Sequence, residues 1–225
     1  MTDNWNILGH EWAVDMLRQH VARGETRHAY LFAGPPGVGR RTLALRFAQA
    51  LNCERPIGAG EPCGLCRTCK QIDAMQHPDL SIIQAVDEDR NSKEGGTLRV
   101  DQIRELQRTI NLKPYQSPYR VVLFLRFQEA NDSASNALLK TLEEAPAHAI
   151  LILTADNPEQ LLPTIISRCE ILRLRPLPIE AVSADLISRG VEEDRARLLA
   201  HISGGRPGFA RRLVEDATVL EKREE

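Results

Sequence analysis

Six residues between an apolar run and a helix-forming run restrict this chain more than any other feature. Tyr30-Leu31-Phe32-Ala33 reads as a short buried strand, and Arg41 to Leu51 reads as a helix rich in Leu, Ala, Phe and Arg. Between them lies Gly34-Pro35-Pro36-Gly37-Val38-Gly39, which can continue neither element and must be a loop. Strand, Gly-rich loop and helix in that order form the opening unit of a P-loop fold. In a working loop, glycines let backbone N–H groups turn inward around phosphates at the positive end of the next helix. A Lys then reaches the phosphates and a Ser or Thr hydroxyl holds Mg²⁺. Here Gly34, Gly37 and Gly39 are present, but the next two positions are Arg40 and Arg41. Arg40 exchanges a thin ammonium stem for a wide planar fork. Arg41 has no oxygen for Mg²⁺ and places a cation where the metal would sit. Thr42 cannot stand in, because one residue along a helix turns the side chain by about 100°. The plainer alternative is a Gly/Pro turn that happens to precede a helix; its position after a buried strand favours a decayed phosphate loop.

The rest of the chain alternates strands and helices. A helix is expected over 10–23, with Ala13, Val14, Leu17 and Val21 on one face. A cysteine-rich insert covers 53–69 and a short helix continues it to Met75. A strand is expected over 79–86, a polar Gly-containing loop over 87–97 and a helix over 100–112. Val121-Val122-Leu123-Phe124-Leu125 suits a central parallel strand. Further elements are a helix over 133–144, a strand over 150–154, a short helix over 163–168 and a strand over 170–174. Arg175-Pro176-Leu177-Pro178 reads as a linker, and from Ile179 onward the pattern is helical, broken at Gly190 and at 204–208. The expected fold class is therefore α/β. Residues 1–175 form a P-loop-like domain with a parallel sheet flanked by helices, and 176–225 form a small all-helical domain. The pattern does not reveal the strand order.

The strand 121–125 provides an independent test of the loop. It should end in acidic residues that hold Mg²⁺ and polarise water, yet the chain continues Leu125-Arg126-Phe127-Gln128. Glu129 and Asp132 come beyond the strand end. Separate losses at both metal-handling positions point to a catalytically silent site where ATP is not bound productively.

Four of the five cysteines, Cys53, Cys63, Cys66 and Cys69, follow the spacing Cys-x9-Cys-x2-Cys-x2-Cys. Four thiolates suffice to close a tetrahedral Zn²⁺ site with no open position, so a structural zinc is expected. A redox pair needs only two cysteines, and disulfides conflict with a reducing compartment. An iron–sulfur cluster would also satisfy the thiolate count. Cys169 reads as a buried small apolar residue.

Composition narrows the setting. The first residues lack the basic and apolar regions of a secretory signal, and no apolar run reaches membrane-spanning length, so a cytoplasmic location without membrane contact is expected. A net charge of −2 argues against nucleic-acid binding by bulk electrostatics, although a local basic patch is compatible with it.

With these pieces assembled, the chain resembles the clamp-loader branch of the AAA+ proteins, in particular that of bacterial DNA polymerase III. The matching residues are Ile7-Leu8-Gly9-His10, the run from His28 to Gly34, the four cysteines, the run from Asn136 to Glu144, and Ser167-Arg168-Cys169. Intact motifs would resemble the ATPase subunits gamma and tau; the degraded ones resemble the delta-prime branch. The resemblance implies an AAA+ P-loop domain with a zinc-binding insert and a small helical lid, working as a stator-like subunit that does not hydrolyse ATP. Implied partners are the gamma/tau and delta subunits, with the sliding clamp and primer-template DNA reached through the complex. It also implies that Arg168 is an arginine finger offered to a neighbour's ATP. Without the resemblance, Arg168 reads as a surface arginine at a helix C-terminus. The nucleotide-sensing arginine of active relatives falls at Gly208, and the family's C-terminal collar domain has no counterpart before Glu225, which suggests a truncated chain. Two other readings compete: an active gamma/tau-like ATPase, and a zinc-dependent DNA-binding module.

Overall fold

The computed structural model describes residues 4–86 and 96–215. Most of the expected polar loop at 87–97 lies outside that range. Helix α1 (Glu11–Arg23) leads into β1 (Ala29–Ala33), α2 (Arg40–Asn52) and α3 (Arg67–Asp73). Next come β2 (Leu80–Ile83), α4 (Val100–Thr109), β3 (Arg120–Phe124) and α5 (Asp132–Glu143). Then follow β4 (Ala149–Ala155), α6 (Pro163–Ile166) and β5 (Glu170–Arg173). Three helices close the described chain: α7 (Ile179–Ser188), α8 (Glu193–Ser203) and α9 (Pro207–Glu215).

All strand pairings are parallel and the order across the sheet is β2-β3-β4-β1-β5. Because side chains alternate across a strand, the central strands feed two cores. Tyr30, Phe32, Val121, Leu123, Ile150 and Ile152 pack with residues of α1, α2 and α3. Leu31, Val122, Phe124, Leu151 and Leu153 pack on the other face with residues of α4, α5 and α6. Burial on both faces is why these strands read as unbroken apolar runs. The helices α7 to α9 enclose a smaller cluster of their own around Val182, Leu186, Leu199 and Leu213.

Two elements stop well short of their expected ends. The strand at 79–86 is reduced to Leu80–Ile83. The Asp79 carboxylate is turned into the loop before β3, and the Gln84 carbonyl accepts from the Gln102 side chain. The helix at 100–112 stops at Thr109, shortly before Lys113-Pro114. No described helix is long and apolar enough to cross a membrane.

Candidate functional site

The loop 34–39 joins the carboxyl end of β1 to the amino end of α2, where a parallel sheet opens its crevice. Gly34 has φ +151, and a Cβ there would lie 2.3 Å from the Leu174 carbonyl oxygen. Only a residue without a side chain lets β5 end so close to the loop. His10 fixes the other flank. Burial pushes its imidazole pKa down, so the neutral ring donates from Nε2 to the Val38 carbonyl at 3.3 Å.

A cleft of about 570 Å³ lies on the loop, lined by Gly37, Gly39, Arg40, Arg41, Thr42, Arg126, Thr154, Asp156, Gly208 and Arg212, among others. Arg40 is buried, with its Nη2 2.6 Å from Asp156 Oδ1. That contact is an ion pair without hydrogen-bond alignment, since neither Arg40 Nη1 nor Asp156 Oδ1 has a hydrogen-bond partner among the described residues. Arg41 also lines the cleft, and its Nη2 lies 3.1 Å from Met75 Sδ. Arg126, at the expected position of an acidic residue, has φ +55 and pairs with Glu129. Its N–H donates to Thr154 Oγ1 at 2.9 Å, and that hydroxyl donates to the Phe124 carbonyl at 3.1 Å. Asp156 is thus the one carboxylate among the lining residues, and it faces a guanidinium. Such a set attracts anions and offers poor ligation to a hard divalent cation, which takes oxygen donors.

The C-terminal helices close directly on this loop. The Gly208 N–H donates to the Gly37 carbonyl at 2.8 Å, and a Cβ on Gly37 would meet Phe209 N at 2.8 Å. Gly37 keeps this backbone-to-backbone contact open, and a Cβ on Gly208 would crowd the Gly37 carbonyl oxygen at 3.0 Å.

The four cysteines converge. Their sulfurs lie within 4.8 Å of one another, and Cys53 and Cys66 Sγ are 4.0 Å apart. Tetrahedral Zn–S bonds of about 2.3 Å imply S···S spacings of about 3.8 Å, so the donor set fits a metal ion such as zinc. Backbone N–H groups already point at the sulfurs. Cys63 N donates to Cys53 Sγ at 3.3 Å, and Cys66 N to Cys63 Sγ at 3.2 Å. At Cys63, burial opposes ionisation, but N–H donors from Leu65 and Cys66 win and bring the thiol down to about 6. Burial pushes the Cys53 and Cys69 thiols up, so full ionisation of the set calls for a cation at its centre. Outer contacts tie the insert down: Gln49 Nε2 donates to the Cys69 carbonyl at 2.7 Å, and Arg18 pairs with Glu61 at 3.0 Å. Cys169 packs on the second core, where burial raises its thiol to about 12.

Arg168 lies outside the cleft, between α6 and the amino end of β5. Its Nη1 donates to the Thr164 carbonyl at 2.8 Å and its Nη2 to Glu143 Oε1 at 2.6 Å. Because β5 runs parallel to β1, Arg168 precedes the sheet edge opposite the loop. A four-residue strand separates the two edges by about 13 Å.

Sequence reasoning missed Asp156, Thr154 and Arg212 as cleft residues. A usable signal existed for the first two: polar residues at the carboxyl end of the apolar run 149–155 mark the crevice side of a parallel strand. Arg212 carried none, because only tertiary packing brings α9 to the loop.

Comparison with known proteins agrees with this architecture. A family model described as DNA polymerase III, delta subunit, matches residues 9–178. DNA polymerase III subunit delta' of Pseudomonas aeruginosa is 36% identical over 205 residues, covering 90% of this chain and 60% of that protein. DNA polymerase III subunit tau of Bacillus subtilis is 32% identical over 219 residues, covering 94% of this chain and 37% of its own length. The chain thus spans about 60% or less of these relatives. Among solved structures, the Thermotoga maritima RuvB Holliday junction branch migration motor superposes with a TM-score of 0.56 at 17% identity. It covers 92% of this chain and 61% of that one, a likeness of AAA+ fold alone.

Proposed function

Because the chain belongs to the DNA polymerase III delta-subunit family, we propose that it is the stator-like, non-hydrolysing subunit of the clamp loader. Its partners in this reading are the gamma/tau and delta subunits, with the sliding clamp and primer-template DNA reached through the complex. Arg168 serves as an arginine finger to a neighbour's ATP, and the four cysteines hold a structural Zn²⁺.

The observation that carries the reading is the cleft itself. Four arginines and a single, already paired carboxylate line it. Its hydroxyls are those of Thr42 and Thr154 and its one carboxylate, Asp156, is paired with Arg40, so the acidic pair that a magnesium-dependent site uses has no counterpart among the lining residues. Support for the finger is geometric. Arg168 stands at the opposite sheet edge from its own loop, so any phosphate it reaches belongs to another molecule. Its side chain is 34% exposed and that of Glu143 is 52% exposed. Exposed ion pairs contribute about 0–1 kcal/mol, so the guanidinium leaves this partner at little cost. A guanidinium supplied in trans stabilises charge on the transferring phosphoryl group.

The gamma/tau-like ATPase is the second reading, favoured by the similarity to tau. Steady-state turnover of the pure chain separates the two, and clear magnesium-dependent hydrolysis would sink the first. In a loader reconstituted with the remaining subunits, Arg168→Ala is expected to lower DNA-stimulated ATP turnover while the complex still assembles. Unchanged turnover in an assembled complex would remove the finger assignment.

A further inference from the structure

The buried face of α2 is largely apolar, with Leu43, Phe47, Ala48 and Leu51 among its residues. Gln49 breaks that pattern. It is 1% exposed, and burying an amide costs free energy unless both of its ends are bonded. Both ends are bonded here. Arg46 Nη1 donates to Gln49 Oε1 at 2.8 Å, and Gln49 Nε2 donates to the Cys69 carbonyl at 2.7 Å. The amide has one orientation in this setting, because a guanidinium only donates and a carbonyl only accepts. Arg46 Nη1 is fixed in turn by Asp73 Oδ1 at 2.9 Å.

The carbonyl that Gln49 holds belongs to the buried member of the four-cysteine cluster, which lies on α3. Cys53 stands at the C-cap of α2, one turn beyond Gln49 and on the same side of that helix. One face of α2 therefore meets the cluster twice, through the sulfur of Cys53 and through the backbone of Cys69. Helix α3 has only seven residues, too few to be stable by itself, so its ties to neighbouring elements set its position.

We propose that Gln49 is a positioning residue for the metal site: anchored by Arg46, it holds the Cys69 backbone so that the buried sulfur stays directed at Cys53, Cys63 and Cys66. Hydrogen bonds that orient ligands from outside are worth about 10–100-fold in metal affinity. Arg18, on the other side of the insert, grips the Glu61 side chain at 3.0 Å and not the backbone of a ligand. Metal retention is thus set in part from α2, outside the cysteine insert. The proposal rests on the reading of the four cysteines as a zinc site.

The test is competition for Zn²⁺ between the chain and a chromophoric chelator, joined to the ligand-field absorption of the Co²⁺-substituted protein, which reports tetrahedral thiolate geometry. Gln49→Met keeps the side-chain length and removes both hydrogen bonds. It is expected to weaken Zn²⁺ binding about tenfold and to alter the Co²⁺ bands. Arg46→Met frees the amide without removing it, and is expected to weaken binding by a smaller factor; it decides the question if Gln49→Met fails to fold. Arg18→Met is expected to keep the parent affinity and spectrum. A loss of stability shared by the metal-free and metal-bound forms moves neither readout, so the two separate positioning from general support of the fold. Parent affinity and spectrum in Gln49→Met, or in Arg46→Met where that variant decides, overturns the proposal, as does an equal weakening by Arg18→Met. A parent chain that binds no stoichiometric metal sinks the zinc reading as well, whereas intact parent binding with unaffected variants sinks this inference alone.

Discussion

Asp79→Asn is the substitution whose cost follows most directly from the structure. The carboxylate is fully buried. Its Oδ1 accepts from Tyr115 N at 2.5 Å, and its Oδ2 from Gln116 N at 2.9 Å and Ser117 N at 3.1 Å. These three bonds fold the turn between α4 and β3. His77, also buried, supports the same turn: its Nδ1 accepts from Asp79 N at 3.1 Å. An amide has one oxygen, so at least one of the three N–H donors must face an NH₂ group. Leaving that donor unpaired costs about 1–3 kcal/mol, and the other two bonds each lose about 1 kcal/mol of charge assistance. The total is about 3–5 kcal/mol, which for a chain of this size lowers the midpoint by roughly 10 °C. Thermal unfolding followed by circular dichroism measures it, with zinc saturating so that the metal contribution stays constant. A midpoint within about 2 °C of the parent would refute the view that charged, three-fold acceptance at this carboxylate holds the turn.

The remaining expectations concern the insert and the C-terminal helices. Cys69→Ser removes the buried member of the thiol cluster and is expected to abolish stoichiometric metal retention while the sheet stays folded. Metal analysis together with far-ultraviolet circular dichroism checks this, and a variant keeping one tightly held metal would contradict the four-thiolate site. Gly205→Ala would place a Cβ 2.1 Å from the Leu177 carbonyl oxygen at φ +74, whereas Gly190→Ala, at φ +87, meets open space. The first is expected to cost more than 3 kcal/mol, roughly, and the second about 1 kcal/mol, from backbone strain alone. Equal midpoints for the two variants would show that Leu177 and the turn at Gly205 are not packed as described.

Local features were legible because local rules produce them. The strand-loop-helix unit at 29–52 announced itself through an apolar run and three glycines, and Cys53, Cys63, Cys66 and Cys69 announced through spacing a thiol cluster able to hold a metal ion. The two-core sheet followed from apolar runs too continuous for a one-sided strand. The helical region after 178 followed from periodicity and from its glycine breaks. Three facts lay beyond that reach. The strand order β2-β3-β4-β1-β5 depends on which edge each crossover returns to, and no residue pattern records it. Asp79 looked like the start of a strand, yet its side chain organises residues 115–117, because a buried carboxylate takes whatever N–H donors the fold brings near. The phosphate loop shows the division most clearly. That Arg40 and Arg41 follow the glycine loop, where a working phosphate loop carries Lys and then Ser or Thr, is written in the chain. That Arg40 is buried against Asp156, and that Arg126 and Arg212 converge on the same cleft, is not. Those partners lie far apart along the chain, and only the free energy of burying both faces of the sheet and docking α9 on the loop brings their charges together.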